Sequence, residues 1–96
     1  MAIIAVFQGP TLNRANYEES VRRLTGGRGL KTPADWPVPG LQVHVAGEGP
    51  NGFRVVDVWE SEQAFKSFGE KLMPILKALG MEGQPEVYPA HTVVTA

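Results

Sequence analysis

Two histidines, His44 and His91, are the only side chains here whose ordinary pKa lies near neutrality, which makes them the first candidates for moving a proton. Asp57 is the third candidate. It stands among Val55, Val56, Val58 and Trp59, where a carboxylate is costly to bury unless paired, and burial is one way that carboxylates are tuned for general acid or base work. Tyr17 offers a hydroxyl donor, and Trp59, Trp36, Phe65 and Phe68 offer aromatic walls for a ligand. Each residue also has a plain structural reading. A strand histidine can be a hydrogen-bonded core group, Asp57 can be satisfied by backbone or by an arginine across a dimer, and Trp36 can simply cover apolar surface.

Other chemistry is excluded or unsupported. The chain has no cysteine, so disulfides, thiol catalysis and Cys-based zinc sites are ruled out. Two histidines without a carboxylate cluster give no metal signature, and no cofactor is expected. Gly47-Glu-Gly-Pro-Asn-Gly52 matches G-x-G-x-x-G by letter, but a strand rather than a helix follows it and Pro50 removes an amide, so it reads as a turn. GGRGLKT lacks the G-K-[ST] ending of a phosphate loop. Nine Lys+Arg against ten Asp+Glu leave no basic excess for nucleic acid or anionic lipid. MAIIAVFQGP has no basic n-region and too short an apolar run for a signal or a span. A cytoplasmic location is expected.

Six elements must position these residues. Ala2 to Phe7, ended by Gly9-Pro10, reads as a strand buried on both faces. Asn13 caps a helix carrying Tyr17, Val21 and Leu24 on one stripe, with Glu18–Arg22 and Glu19–Arg23 as exposed four-residue pairs. Gly26-Gly27 stops it, and the irregular stretch up to Gly40 is long enough to be a binding loop or lid. Leu41 to Ala46 alternates strictly, Phe53 to Trp59 is rich in β-branched and aromatic residues, and GEGPNG turns between them: a hairpin. Ser61 caps a second helix with Phe65, Phe68, Leu72, Ile75, Leu76 and Leu79 on one stripe, which should kink or restart near Met73 because of Pro74 and is stopped by Gly80. Glu86 to Val94 is the last strand, and Pro89 argues for an edge position or a bulge.

The order β, α, β, β, α, β over residues 1–96 predicts a single α+β domain of the ferredoxin-like kind, a four-stranded antiparallel sheet with two helices on one face. Two helices cover one side only. Because the strands are apolar on both sides, and a chain of this length buries only about 60–65% of its unfolded surface, the open face predicts a homodimer packed sheet to sheet. Whether His44 and Asp57 share a face depends on register: opposite Val56 it would be separated from Asp57, opposite Val55 or Asp57 it would join it.

At Asp57-Val-Trp-Glu-Ser-Glu62 the chain resembles the dimeric α/β-barrel superfamily. Leu41 to Gly47 with His44, Gly52 to Ser61, Leu72-Met-Pro74 and Pro89-Ala-His91 extend the resemblance over most of the chain. It lies near the antibiotic-biosynthesis monooxygenase-like proteins and is most similar to an uncharacterised bacterial subgroup. The resemblance implies a sheet-to-sheet dimer forming an α/β barrel, with Trp59 lining a pocket between sheet and helices. Haem-degrading relatives carry a helix histidine that Lys66 to Met73 lacks, and Val55 stands where the cofactor-free monooxygenases place an asparagine.

Together these readings imply a pocket for a small, partly aromatic metabolite, walled by Trp59, Phe65, Phe68 and Tyr17. In it His44 or Asp57 would act as general base, Tyr17 as donor and Trp36 as part of a cover, in a cofactor-free monooxygenase or a cyclase/isomerase. The alternative is a non-catalytic ligand-sensing or stress-related dimeric module. Haem binding through His44 or His91 ranks last.

Overall fold

The computed structural model describes all residues, Met1–Ala96. Four strands, β1 (Ile3–Gln8), β2 (Leu41–Gly49), β3 (Gly52–Trp59) and β4 (Glu86–Pro89), form one antiparallel sheet in the order β2-β3-β1-β4. Helices α1 (Arg14–Leu24) and α2 (Glu62–Ala78) complete a ferredoxin-like α+β arrangement. The caps are those the residues call for. Asn13 accepts from the Asn16 amide and Ser61 from the Ala64 amide, each satisfying a donor that the first turn cannot.

Alternation along β3 sends Phe53, Val55, Asp57 and Trp59 to the helix-covered face, where all four are buried. Ile3 and Ala5 of β1 join them. Ile3, Ala5 and Trp59 form the core cluster with Trp36, Leu41, Phe68 and Leu72. Residues of opposite parity, including Ile4, Val43, Val56 and Val58, lie on the open face beside Val45 and Tyr88, which are 58% and 41% exposed.

The strict alternation expected for β2 would put Leu41, Val43 and Val45 on one face. They are not. Leu41 pairs with Trp59 whereas Val43 pairs with Val58, so a bulge at Gln42 inserts one residue. The bulge turns Leu41 into the core and sets His44 directly opposite Asp57. It resolves the register that the sequence leaves open, and the histidine and the carboxylate share the covered face.

Four further expectations are corrected. The hairpin ladder continues to Gly49 and Gly52, leaving only Pro50 and Asn51 in the turn. Helix α2 runs through Pro74 as one element rather than restarting. Pro74 is exposed, so the Glu70 carbonyl left without its i+4 donor lies on the wetted side. On α1, Arg22 and Arg23 both bond Glu19, at 2.7 Å each, and the Glu18–Arg22 pair does not form. Strand β4 stops at Pro89 instead of reaching Val94, which leaves His91 exposed outside the sheet. As Pro89 requires, β4 is an edge strand.

No helix is long and apolar enough to cross a membrane.

Candidate proton-relay site

The sheet register and one helix stripe bring four polar side chains into a line. His44 Nδ1 lies 2.6 Å from Asp57 Oδ1, and His44 Nε2 lies 2.7 Å from the Tyr17 hydroxyl. Trp59 Nε1 donates to the other carboxylate oxygen, Asp57 Oδ2, at 3.3 Å. A carboxylate can only accept, so His44 Nδ1 is the donor; in the neutral ring Nε2 then accepts and the Tyr17 hydroxyl donates. The line runs from α1 across β2 to β3, with Asp57 1% exposed at its inner end. A buried carboxylate is costly alone, and here each of its oxygens meets a donor.

Burial, and secondarily the negative charge of Asp57, raises the Tyr17 pKa above its ordinary 10.0. The phenol therefore keeps its proton across the physiological range and serves as a donor toward His44 rather than as a resident phenolate.

An aromatic layer closes over this line. Phe68 of α2 is packed between the two tryptophans, its ring centroid 5.5 Å from Trp36 and 4.8 Å from Trp59. Trp36 also stands 5.3 Å from the His44 ring and Tyr17 5.1 Å from Phe53. On either side of Trp36 the loop is locally fixed, by a turn within the loop at Asp35 and by its return at Gly40, whose carbonyl accepts from the Glu60 amide at 2.8 Å. Asp35 accepts from the Lys31 and Thr32 amides at 2.9 Å each, bonds that hold its carboxyl below the ordinary range. At the other end Gly40 adopts φ +111°, and a Cβ there would fall 2.7 Å from that of Ala64, so only glycine lets the loop return so close to α2.

Between sheet and helices lies a cavity of about 80 Å³. Tyr17, His44, Asp57, Trp36 and Phe68 form its chemically distinctive wall, Val21, Leu24, Leu72 and Leu76 of the two helices add an aliphatic part, and the exposed residues Glu82, Gly83 and Gln84 border its mouth. An apolar cavity that holds benzene has a volume of about 150 Å³. This one therefore accommodates part of a small ligand, with the remainder lying toward the mouth. A second depression, about 180 Å³, lies under Leu30 to Pro33 and also touches His44.

The structure thus brings together Tyr17, His44, Asp57, Trp36 and Phe68. Trp59 is fully buried behind the cavity wall and acts on the site through its bond to Asp57 rather than as lining. Phe65 packs against Phe7 and Trp59, one layer away from the cavity. His91, a candidate ligand contact, is removed from the site altogether because the strand expected to carry it ends two residues earlier.

Sequence reasoning missed the mouth formed by Met81 to Pro85. That segment is tied to the start of α1 by Thr11, whose hydroxyl donates to the Glu82 carbonyl at 3.2 Å and accepts from the Glu82 amide at 2.7 Å. The signal was available in the topology, because antiparallel pairing of β1 with β4 brings the end of β1 and the entry to β4 to one end of the sheet.

No family model matches the chain, and it matches no curated protein and no solved structure. Ligation of haem iron by His44 would cost the Tyr17 hydrogen bond, and a cavity of about 80 Å³ is far too small for a porphyrin, so these residues do not fit that cofactor.

Proposed function

We propose that this chain binds a small, partly aromatic metabolite between sheet and helices and moves a proton on it through Tyr17, His44 and Asp57. One observation carries the reading: a continuous hydrogen-bonded line from a buried carboxylate to a phenol, along the wall of a cavity whose surface is otherwise mostly apolar. Asp57 fixes the tautomer and orientation of His44 and stabilises the imidazolium that forms when the ring accepts a proton. As a ligand proton passes to the Tyr17 oxygen, the phenolic proton passes to His44 Nε2, and the charge is shared with Asp57. The raised Tyr17 pKa suits this conduit, because the phenolate never accumulates. Chemistry that needs little beyond proton abstraction in a dry pocket fits such a site: isomerisation or cyclisation of a carbonyl compound, or cofactor-free oxygenation of a phenol, as the resemblance to the dimeric α/β-barrel proteins suggests.

Incubation with phenylacetaldehyde and related aryl carbonyl compounds in D2O, read by mass spectrometry, tests this. Faster exchange of the α-protons is expected with the wild-type chain, falling by roughly 10²–10⁴-fold in His44→Gln. Equal exchange with both proteins would sink the reading. A non-catalytic ligand-sensing module is the second reading, favoured by the small cavity and by the internal satisfaction of every polar group in the line. It predicts binding without exchange.

We also infer that a second copy covers the open sheet face, where Ile4, Val43, Val45, Val56, Val58 and Tyr88 meet water in the single chain. A single monomeric mass by analytical ultracentrifugation at micromolar concentration contradicts this.

A further inference from the structure

Asp57 has a second partner that does not carry the proton. Its carboxylate is 1% exposed and forms one ion pair, with His44, and none with a lysine or arginine. His44 Nδ1 holds Oδ1 at 2.6 Å, and the one other hydrogen bond to this side chain comes from Trp59 Nε1, which donates to Oδ2 at 3.3 Å. A single bond leaves a carboxylate free to turn about its Cβ–Cγ axis, because that terminal torsion has broad minima. A donor on the opposite oxygen removes this freedom. Trp59 can supply it because its own ring is fixed from elsewhere. It is fully buried, with its centroid 4.8 Å from Phe68 and 6.2 Å from Phe65, and its place two residues along β3 puts it on the same covered face as Asp57. An indole nitrogen only donates and a carboxylate only accepts, so the groups themselves set the direction of the bond.

The same donor bears on where the shared proton sits. A hydrogen bond to the charged form of a carboxylate favours that form, and it counts for more in a dry setting. Between His44 Nδ1 and Asp57 Oδ1, 2.6 Å apart, the proton has two bases to choose from, and stabilising the anion at Oδ2 keeps it on the ring. We propose that Trp59 is a positioning residue of this site: through Oδ2 it turns Oδ1 toward His44 and holds the shared proton on Nδ1, leaving Nε2 bare for the Tyr17 hydroxyl. Trp59 lines no part of the cavity. It acts behind the carboxylate as the carboxylate acts behind the histidine, each group fixing the next. Its effect on a rate rests on the reading of the line as a proton relay, and its hold on the proton does not.

Trp59→Phe keeps an aromatic ring beside Phe68 and removes the donor. Long-range ¹H–¹⁵N correlation of the His44 ring is the readout, with Phe65→Leu as the control, since Phe65 packs on Trp59 and makes no polar contact with the line. In Trp59→Phe the Nδ1 resonance is expected to shift toward that of an unprotonated ring nitrogen, and in Phe65→Leu to stay at its wild-type position. Exchange of the phenylacetaldehyde α-protons should fall about 10-fold or more in Trp59→Phe. A folded Trp59→Phe whose Nδ1 resonance matches wild type overturns the proposal. So does an equal shift in Phe65→Leu, which would make the effect one of packing alone. A shifted Nδ1 together with no exchange by the wild-type chain supports the positioning role and sinks the catalytic reading instead. Where Trp59→Phe fails to fold, ¹⁵N-labelled wild-type protein decides. Its Trp59 indole proton is expected to move as the His44 ring titrates, because charge gained by the ring weakens Oδ2 as an acceptor, and an indole proton indifferent to that titration overturns the proposal.

Discussion

The two faces of this sheet are built from similar strands and have different tasks. On the covered face Ile3, Ala5, Val55 and Trp59 surround a carboxylate, a histidine and, from α1, a phenol, with the histidine hydrogen-bonded to both of the others. The open face carries Ile4, Val43, Val45, Val56 and Val58, and its titratable groups, Arg54, Glu86 and Tyr88, are all exposed to water. Polar chemistry concentrates where helices exclude water and strengthen each hydrogen bond. Where nothing covers the sheet, the residues are those that a second sheet would bury. A single residue separates the two patterns. Without the bulge at Gln42, continuing the Leu41–Trp59 pairing would leave His44 opposite Val56 and on the wrong face.

The largest effect should come from breaking the covered face. Asp57→Ala leaves the His44 and Trp59 donors buried without an acceptor, and is expected to cost about 3 kcal/mol or more, read as a lowered urea midpoint. A change below ~1 kcal/mol would mean that the carboxylate is not integral to this face. On the open face Val45→Lys is expected to shift a sedimenting dimer to monomer while leaving the His44 environment, seen by NMR, in place. Loss of both together would show that the faces are not independent. Tyr17→Phe is a smaller change, about 1 kcal/mol for one hydrogen bond, with a signature in pH. The folded Tyr17 pKa lies above its unfolded value of 10.0, so the folded chain holds a proton that the unfolded chain releases. Its contribution to stability is complete below pH 10 and is lost as pH rises through the folded value. The phenylalanine variant should therefore lose less stability than wild type between pH 10 and 12. The smallest effect is expected away from both faces, at the partly exposed Glu19, whose carboxyl Arg22 and Arg23 lower to about 2 by hydrogen bonding. That contribution is present above pH 4.5, fades as pH falls toward 2, and should be weakened by salt in wild type and absent in Glu19→Gln.

Much of the fold was legible because local chemistry and global pattern agree. The Asn13 and Ser61 caps, the helical stripes through Tyr17 and Phe68, and the β-branched run before Trp59 each point to the element observed. The candidate site was legible as a set of residues and not as an arrangement. Tyr17, His44 and Asp57 could be named from their types and surroundings, but their alignment depends on the bulge, and Gln42 carries no signal of one in a strand whose letters alternate perfectly. His91 and Trp59 show the same limit. The pairing of β4 ends before the β-prone Thr92-Val93-Val94, because no further strand is there to receive it, and Trp59 uses its indole nitrogen on a neighbour in its own strand instead of on a ligand.

The central claim is that Asp57 holds His44 with its proton on Nδ1 and its bare Nε2 toward Tyr17. Long-range ¹H–¹⁵N correlation of the His44 ring near neutral pH tests it most directly. The account predicts a protonated Nδ1 and an acceptor-type Nε2, with Nε2 responding to Tyr17→Phe and the tautomer shifting in Asp57→Asn. A proton on Nε2 with Nδ1 bare, or a ring indifferent to both substitutions, would contradict it.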